Sequence, residues 1–141
     1  MSDRTLAVEA RLESLPEVGR WLAEAAREEG LPYDVAFGLD LALHEAVENV
    51  VRHGCGDGAA HTIQISIRRG EQRVEVVVED DGLAFDPTSV PPPPVPQRLE
   101  DVIPGGQGIN LMRYFTDEML YRRKEGRNVL VLARRLPSRS G

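Results

Sequence analysis

Apolar and polar positions alternate along this chain with two different periods. From Thr5 to Arg11, Leu6, Val8 and Ala10 alternate with Ala7, Glu9 and Arg11. That period of two predicts a half-buried strand. Pro16 to Glu29 follows the helical period, with Trp21 and Leu22 among its core candidates and Gly30 as its stop. Leu31-Pro32 breaks the chain, and a second helix is predicted from Tyr33 to about His53, closed by Gly54. Projected at about 100° per residue, Leu39, Ala42, Leu43, Ala46, Val47 and Val50 share one arc, the expected core face. Gly54 to Ala60 is a glycine-rich turn. Thr62 to Arg68 and Arg73 to Glu79 alternate strictly across Gly70-Glu71-Gln72 and predict a hairpin. Gly105-Gly106-Gln107-Gly108 opens a short helix through about Phe115. Glu118 to Arg123 and Asn128 to Arg134 read as two strands joined by Lys124-Glu125-Gly126-Arg127, and Pro137 to Gly141 as a frayed tail. Strands and helices come in groups rather than as βαβ units. The predicted class is α+β, a two-layer α/β sandwich with helices on one face of a mostly antiparallel mixed sheet.

One segment fits neither period. Asp86 to Pro104 holds seven of the ten prolines, so it is expected to be an internal loop rather than a core element. The 141 residues suit a single domain. With 17 basic and 23 acidic side chains the net charge is −6, and no long basic run is present, which argues against direct nucleic-acid binding. Cys55 is the single cysteine, so an internal disulfide and a CxxC metal site are excluded. No apolar run is long enough for a membrane span, and the N-terminal residues lack a signal-peptide pattern; a cytoplasmic protein is expected.

Three motifs carry candidate chemistry. Glu45 and Asn49 lie four apart at the border of the apolar arc of the second helix, where a carboxylate can act as a base and an amide oxygen can bind a hard cation. Taken alone, such a pair reads first as a solvated helix edge. The strand Arg73–Glu79 runs into Asp80-Asp81-Gly82. A carboxylate at a strand end can accept from an exocyclic amine, and a glycine two residues on permits close backbone approach, although Asp-Asp-Gly by itself is also an ordinary turn. Gly105, Gly106 and Gly108 at a helix start offer backbone N–H groups to phosphate. The segment is neither a Walker A loop nor a dinucleotide fingerprint.

In this order, the helix HEAVENVVRHG, the strand end VEDDGLAFDP, the proline loop and GGQGINLM resemble the GHKL ATPase superfamily with its Bergerat fold. Within it the chain is most similar to the stand-alone anti-sigma-factor serine kinases of bacterial partner switching, and the likeness spans nearly the whole chain. The resemblance implies a single histidine-kinase-like ATPase domain over residues 1–141, with 86–104 as its ATP lid. It implies Asn49 as the Mg²⁺ ligand bridging the ATP phosphates and Glu45 as general base toward a substrate serine. It implies Asp80 as the adenine-amine acceptor with Gly82 beside it, and Gly105, Gly106 and Gly108 at the phosphates. It further implies an anti-anti-sigma (STAS-domain) protein as substrate, a sigma factor or equivalent as sequestered target, and a homodimer. Two departures stand out. Ala84 replaces the last glycine of the usual Asp-x-Gly-x-Gly box. Val102-Ile103-Pro104 stands where some relatives carry a lid arginine, leaving Arg98 as the nearest candidate.

Other readings fit less well. His44-Glu45 lacks the continuation of a phospho-accepting histidine, and HExxH fails because Glu48 follows. Cys55 between glycines reads as a loop residue, His53 is given no catalytic role, and Arg122-Arg123-Lys124 reads as a solvated strand end or a partner-contact patch. The alternative from another class is an ATP-binding regulator without catalysis that acts by sequestering a protein partner. The presence of Glu45 favours the enzyme.

Overall fold

A computed structural model describes residues 4–56, 58–89 and 108–137. Strand β1 (Arg4–Glu9) is followed by α1 (Leu15–Glu28), α2 (Tyr33–Asn49), the hairpin β2 (Thr62–Arg69) and β3 (Arg73–Asp80), then α3 (Gly108–Phe115) and the hairpin β4 (Glu118–Lys124) and β5 (Arg127–Arg135). The strands form one sheet in the order β1-β2-β3-β5-β4. All four pairings are antiparallel, so no parallel pair accompanies them among the described residues. The helices supply Val18, Leu22, Val35, Leu39, Leu43, Val47 and Met112 to a single core against Ile63, Ile65, Ile67, Val74, Val76, Val78, Leu130 and Leu132 of the sheet. This is the expected α+β sandwich.

The strand alternation places inward side chains in rows across the sheet. Ile67 pairs with Val76 and Val76 with Leu132; Ile65 pairs with Val78 and Val78 with Leu130. The next row keeps the inward register but turns polar: Ile63 faces Asp80, Asp80 faces Asn128, and Asn128 faces Arg123. The apolar core therefore ends in a polar row at one edge.

Local departures from the expected elements have local causes. β1 stops at Glu9 rather than Arg11, because the Glu9 carbonyl accepts from Ser14 Oγ at 2.8 Å as the chain enters a tight turn at Leu12–Ser14. Trp21, expected in the core, is only half-buried and packs at its margin, while Leu22 beside it is fully buried. α1 ends at Gly30, whose φ of 65° lies in the left-handed region. α2 is regular only to Asn49. Residues Val50–Gly54 form a single wider π turn, and Val50 at its start is half-buried and packs against the core at its margin. The β4–β5 turn uses Glu125 (φ 52°) and Gly126 (φ 77°), the two left-handed positions that a two-residue hairpin requires. The expected helix start at Gly105 and Gly106 lies outside the described residues; α3 begins at Gly108. No helix among the described residues is long and apolar enough to cross a membrane.

Candidate functional site

Where α2 widens over the polar row of the sheet, a cleft opens. Asn49, Val50 and Gly54 line it from α2 and its π turn. Val78 and Asp80 line it from β3, Leu83, Phe85 and Pro87 from the segment that follows, and Tyr121, Asn128 and Leu130 from β4 and β5. Asp80 is 3% exposed and Asn128 5% exposed, two buried polar side chains at the floor of the cleft.

Asp80 Oδ1 accepts the Gly82 N–H at 2.9 Å and an Nδ2 proton of Asn128 at 2.9 Å. The second Nδ2 proton of Asn128 goes to the Leu83 carbonyl at 2.8 Å. Asn128 Oδ1 accepts the Tyr121 hydroxyl and, at 3.4 Å, the Phe85 N–H. Both side-chain bonds of Asp80 thus fall on one oxygen, and Oδ2 remains for a ligand. Asn49 is 7% exposed, and its Nδ2 has no partner among the described residues. Buried amides are ordinarily bonded on every polar atom, so an unpaired one in a cleft wall marks a place for a ligand.

Gly82 has a reason of its own. A Cβ there would sit 2.5 Å from the Gly54 carbonyl oxygen and 2.9 Å from the Gly54 Cα. The close approach is between the turn after β3 and the π turn of α2, and Leu83 N–H donates to the same carbonyl at 2.9 Å. Arg123 donates to the Gly82 carbonyl at 2.8 Å and fixes the other side of this turn. Arg122, Arg123 and Lys124 are exposed, as expected of a solvated strand end, and Arg123 also clamps this turn. His53 stacks on Phe85 with ring centroids 4.1 Å apart. Burial, and then the adjacent Arg52 charge, push its imidazole pKa down.

Glu45 lies one helical turn before Asn49, half-buried and outside the cleft lining. Burial, and then the neighbouring Glu48 carboxylate, raise its carboxyl pKa, with Arg52 and His44 pulling the other way. The structure thus gathers Asn49 and Asp80 in one cleft, with Gly82 behind the turn and Glu45 nearby on the helix. Gly105 and Gly106 lie outside the described residues. Gly108 is the first residue of α3. Asn128 and Tyr121 escaped the sequence reading, as did the contact of Arg123 with the Gly82 turn. The available signal was Asn128 itself, a polar residue in register with Leu130 and Leu132 on the inward face of an apolar strand.

A family model described as a histidine kinase-like ATPase domain matches residues 8–134. The chain belongs to that family. It is 35% identical over 112 residues to a serine/threonine-protein kinase named BtrW from Bordetella bronchiseptica, covering 79% of each chain. It is 26% identical over 130 residues to a serine-protein kinase named RsbW from Bacillus cereus, covering 89% of this chain and 81% of that one. Among solved structures, the RsbU and RsbW domains of Rv1364c from Mycobacterium tuberculosis superpose with a TM-score of 0.66 at 19% identity. That match covers 99% of this chain and 34% of the other, and it shows the shared fold. As a member of a histidine kinase-like ATPase family, the chain is an ATP user.

Proposed function

We propose that this chain is an ATP-dependent protein-serine kinase of a partner-switching system. It phosphorylates an anti-anti-sigma (STAS-domain) protein and sequesters a sigma factor or an equivalent target. The observation that carries the reading is the joining of the Asp80 carboxylate and the unpaired Asn49 amide in one cleft. The chain's 35% identity to a named serine/threonine-protein kinase supports it.

In this reading the Oδ2 atom of Asp80 accepts the exocyclic amine of adenine, and the apolar walls at Val78, Leu83 and Leu130 enclose the base. Gly82 keeps the turn against Gly54 and so holds Asp80 in place. Gly105, Gly106 and the start of α3 at Gly108 offer N–H groups to the phosphates, and the segment 86–104 closes over them as a lid. Asn49 fits a Mg²⁺ ion that takes most of its ligands from phosphate and water. Among the described residues no cluster of three or more acidic, His or Cys side chains could hold a metal alone. When bound, the ion neutralises phosphate charge as it redistributes during transfer.

Glu45 takes the proton from the attacking serine hydroxyl. Its raised pKa brings the carboxylate closer to the hydroxyl it must deprotonate, as general-base catalysis favours. The same resemblance supports a homodimer working in the cytoplasm.

The test is direct. The full chain is mixed with Mg·ATP and candidate STAS-domain proteins from the same genome, and intact mass is read. One added phosphate on a partner is expected. With Glu45→Ala the rate should fall roughly 10²–10⁴-fold while ATP binding is retained. ATP binding without transfer to any partner would replace the kinase with the sequestering regulator.

A further inference from the structure

We infer that Arg134, seated over Gly38 of α2, is a positioning residue: it holds α3 by its C-terminal end and thereby fixes the helix start that faces the phosphates. The inference rests on the nucleotide-binding reading above and places a determinant of triphosphate affinity outside the three motifs.

The inward face of the sheet turns polar a second time, at the end of the strands opposite the cleft. There Arg69, Val74 and Arg134 lie in register across β2, β3 and β5. Both arginines reach the end of a helix. Arg69 donates to the Glu29 carbonyl just beyond α1. Arg134 donates from Nη1 to the carbonyl of Phe115, the last residue of α3, at 3.4 Å. A cation there meets a carbonyl that the helix leaves open and matches the negative end of its dipole. The other arm, Nη2, meets the Asp34 carboxylate in the first turn of α2 at 3.5 Å.

Gly38 makes this reach possible. It is the single glycine of α2 and is buried in the helix interior, where glycine is less favourable than alanine. A Cβ at Gly38 would overlap Arg134 Nη1 and stand 3.1 Å from the Phe115 ring. The missing side chain is thus the seat of the guanidinium and the place where α3 closes on α2. Gly108 lies about 10 Å from Phe115 along the axis of this eight-residue helix. Met112, 0% exposed, pins the helix to the core. The remaining hold comes from its C-terminal half, where Arg134 bonds Phe115 and Arg113 donates to the Thr88 carbonyl at 3.1 Å. A short rigid helix held at these points has its N-terminus placed as well. Losing the Arg134 hold lets that start drift, while the cleft floor built by Asp80 and Asn128 keeps its own bonds.

The experiment compares ATP with adenosine, which carries the same base and no phosphate. Binding of ATP to the full chain with Mg²⁺ is measured by calorimetry and that of adenosine by competition, for the wild type, Arg134→Gln, Arg134→Lys and Gly38→Ala, with thermal melts to verify folding. The wild type should bind ATP more tightly than adenosine. Arg134→Gln should weaken ATP about three- to tenfold and leave adenosine unchanged. Arg134→Lys keeps a cation at the helix end and should recover part of that loss. Gly38→Ala displaces the guanidinium from its seat and should reproduce the ATP-selective loss with the arginine still present.

Equal loss of ATP and adenosine in a folded Arg134→Gln chain would reduce Arg134 to a structural role and overturn the inference, as would unchanged ATP affinity. Equal wild-type affinity for ATP and adenosine would overturn it while recognition of the base stands. Binding of neither by the wild type would overturn it together with the nucleotide reading. Should Arg134→Gln fail to fold, Gly38→Ala decides by the same outcomes.

Discussion

Glu45 and Glu48 sit one turn apart on α2, and Glu48 also pairs with Arg52 at 3.9 Å. The Glu48 charge is the second cause, after burial, of the raised Glu45 pKa. A general base works when deprotonated, so the rate should rise with pH through its pKa. Glu48→Gln removes the like charge and releases Arg52, both of which lower that pKa. The acidic limb of kcat/KM against pH should therefore move to lower pH. A limb that stays in place would show that Glu45 is not the titrating group. The candidate residues Glu45, Asn49 and Asp80 were legible in the sequence because each belongs to a short ordered motif. Asn128 was not, because its meaning depends on Asp80, 48 residues away.

At the scale of elements, two glycines meet between α2 and β3 and differ in tolerance. Gly82→Ala would drive a methyl group into the Gly54 backbone at 2.5 Å, where no flexible side chain can yield. A destabilisation of about 1–3 kcal/mol is expected, with ATP affinity falling as the turn moves. Gly54→Ala meets only ordinary contacts of 3.6–3.7 Å and should be mild. Denaturant unfolding of the two variants side by side checks the asymmetry. The sequence reading assigned Gly82 to close approach of a ligand; the structure adds a close approach to the chain itself at Gly54. Periodicity located β1, the first two helices and the β2–β3 hairpin, which bury one face, whereas the short turns at Leu12–Ser14 and Pro87–Ser89 were not predicted. The π turn at Val50–Gly54 carries no periodic signal and became visible only with the cleft it helps to open.

For the whole molecule, stability comes from one core between the helices and the sheet. Leu43, 0% exposed at the centre of α2, packs within it. Leu43→Ala should destabilise by about 2–5 kcal/mol, because the space it leaves cannot fully collapse. Leu120→Ala on β4 removes a side chain that is 51% exposed and should stay within about 0.5 kcal/mol. Thermal melts would separate the two by several degrees; equal melts would place the core elsewhere. The cleft is likewise a property of the whole fold, since its walls come from α2, β3, β4 and β5.

The order of apolar and polar residues by itself determined the element types, the inward face of each strand, the glycine stops and the order of the three motifs. These follow from local periods and local backbone limits, which need no knowledge of distant chain. The tertiary structure alone decided which inward residues face one another. The order β1-β2-β3-β5-β4 sets Asp80 opposite Asn128 and brings Arg123 to the Gly82 turn. That order results from burying all the apolar faces in one core at once, a condition on the entire chain that no local window contains.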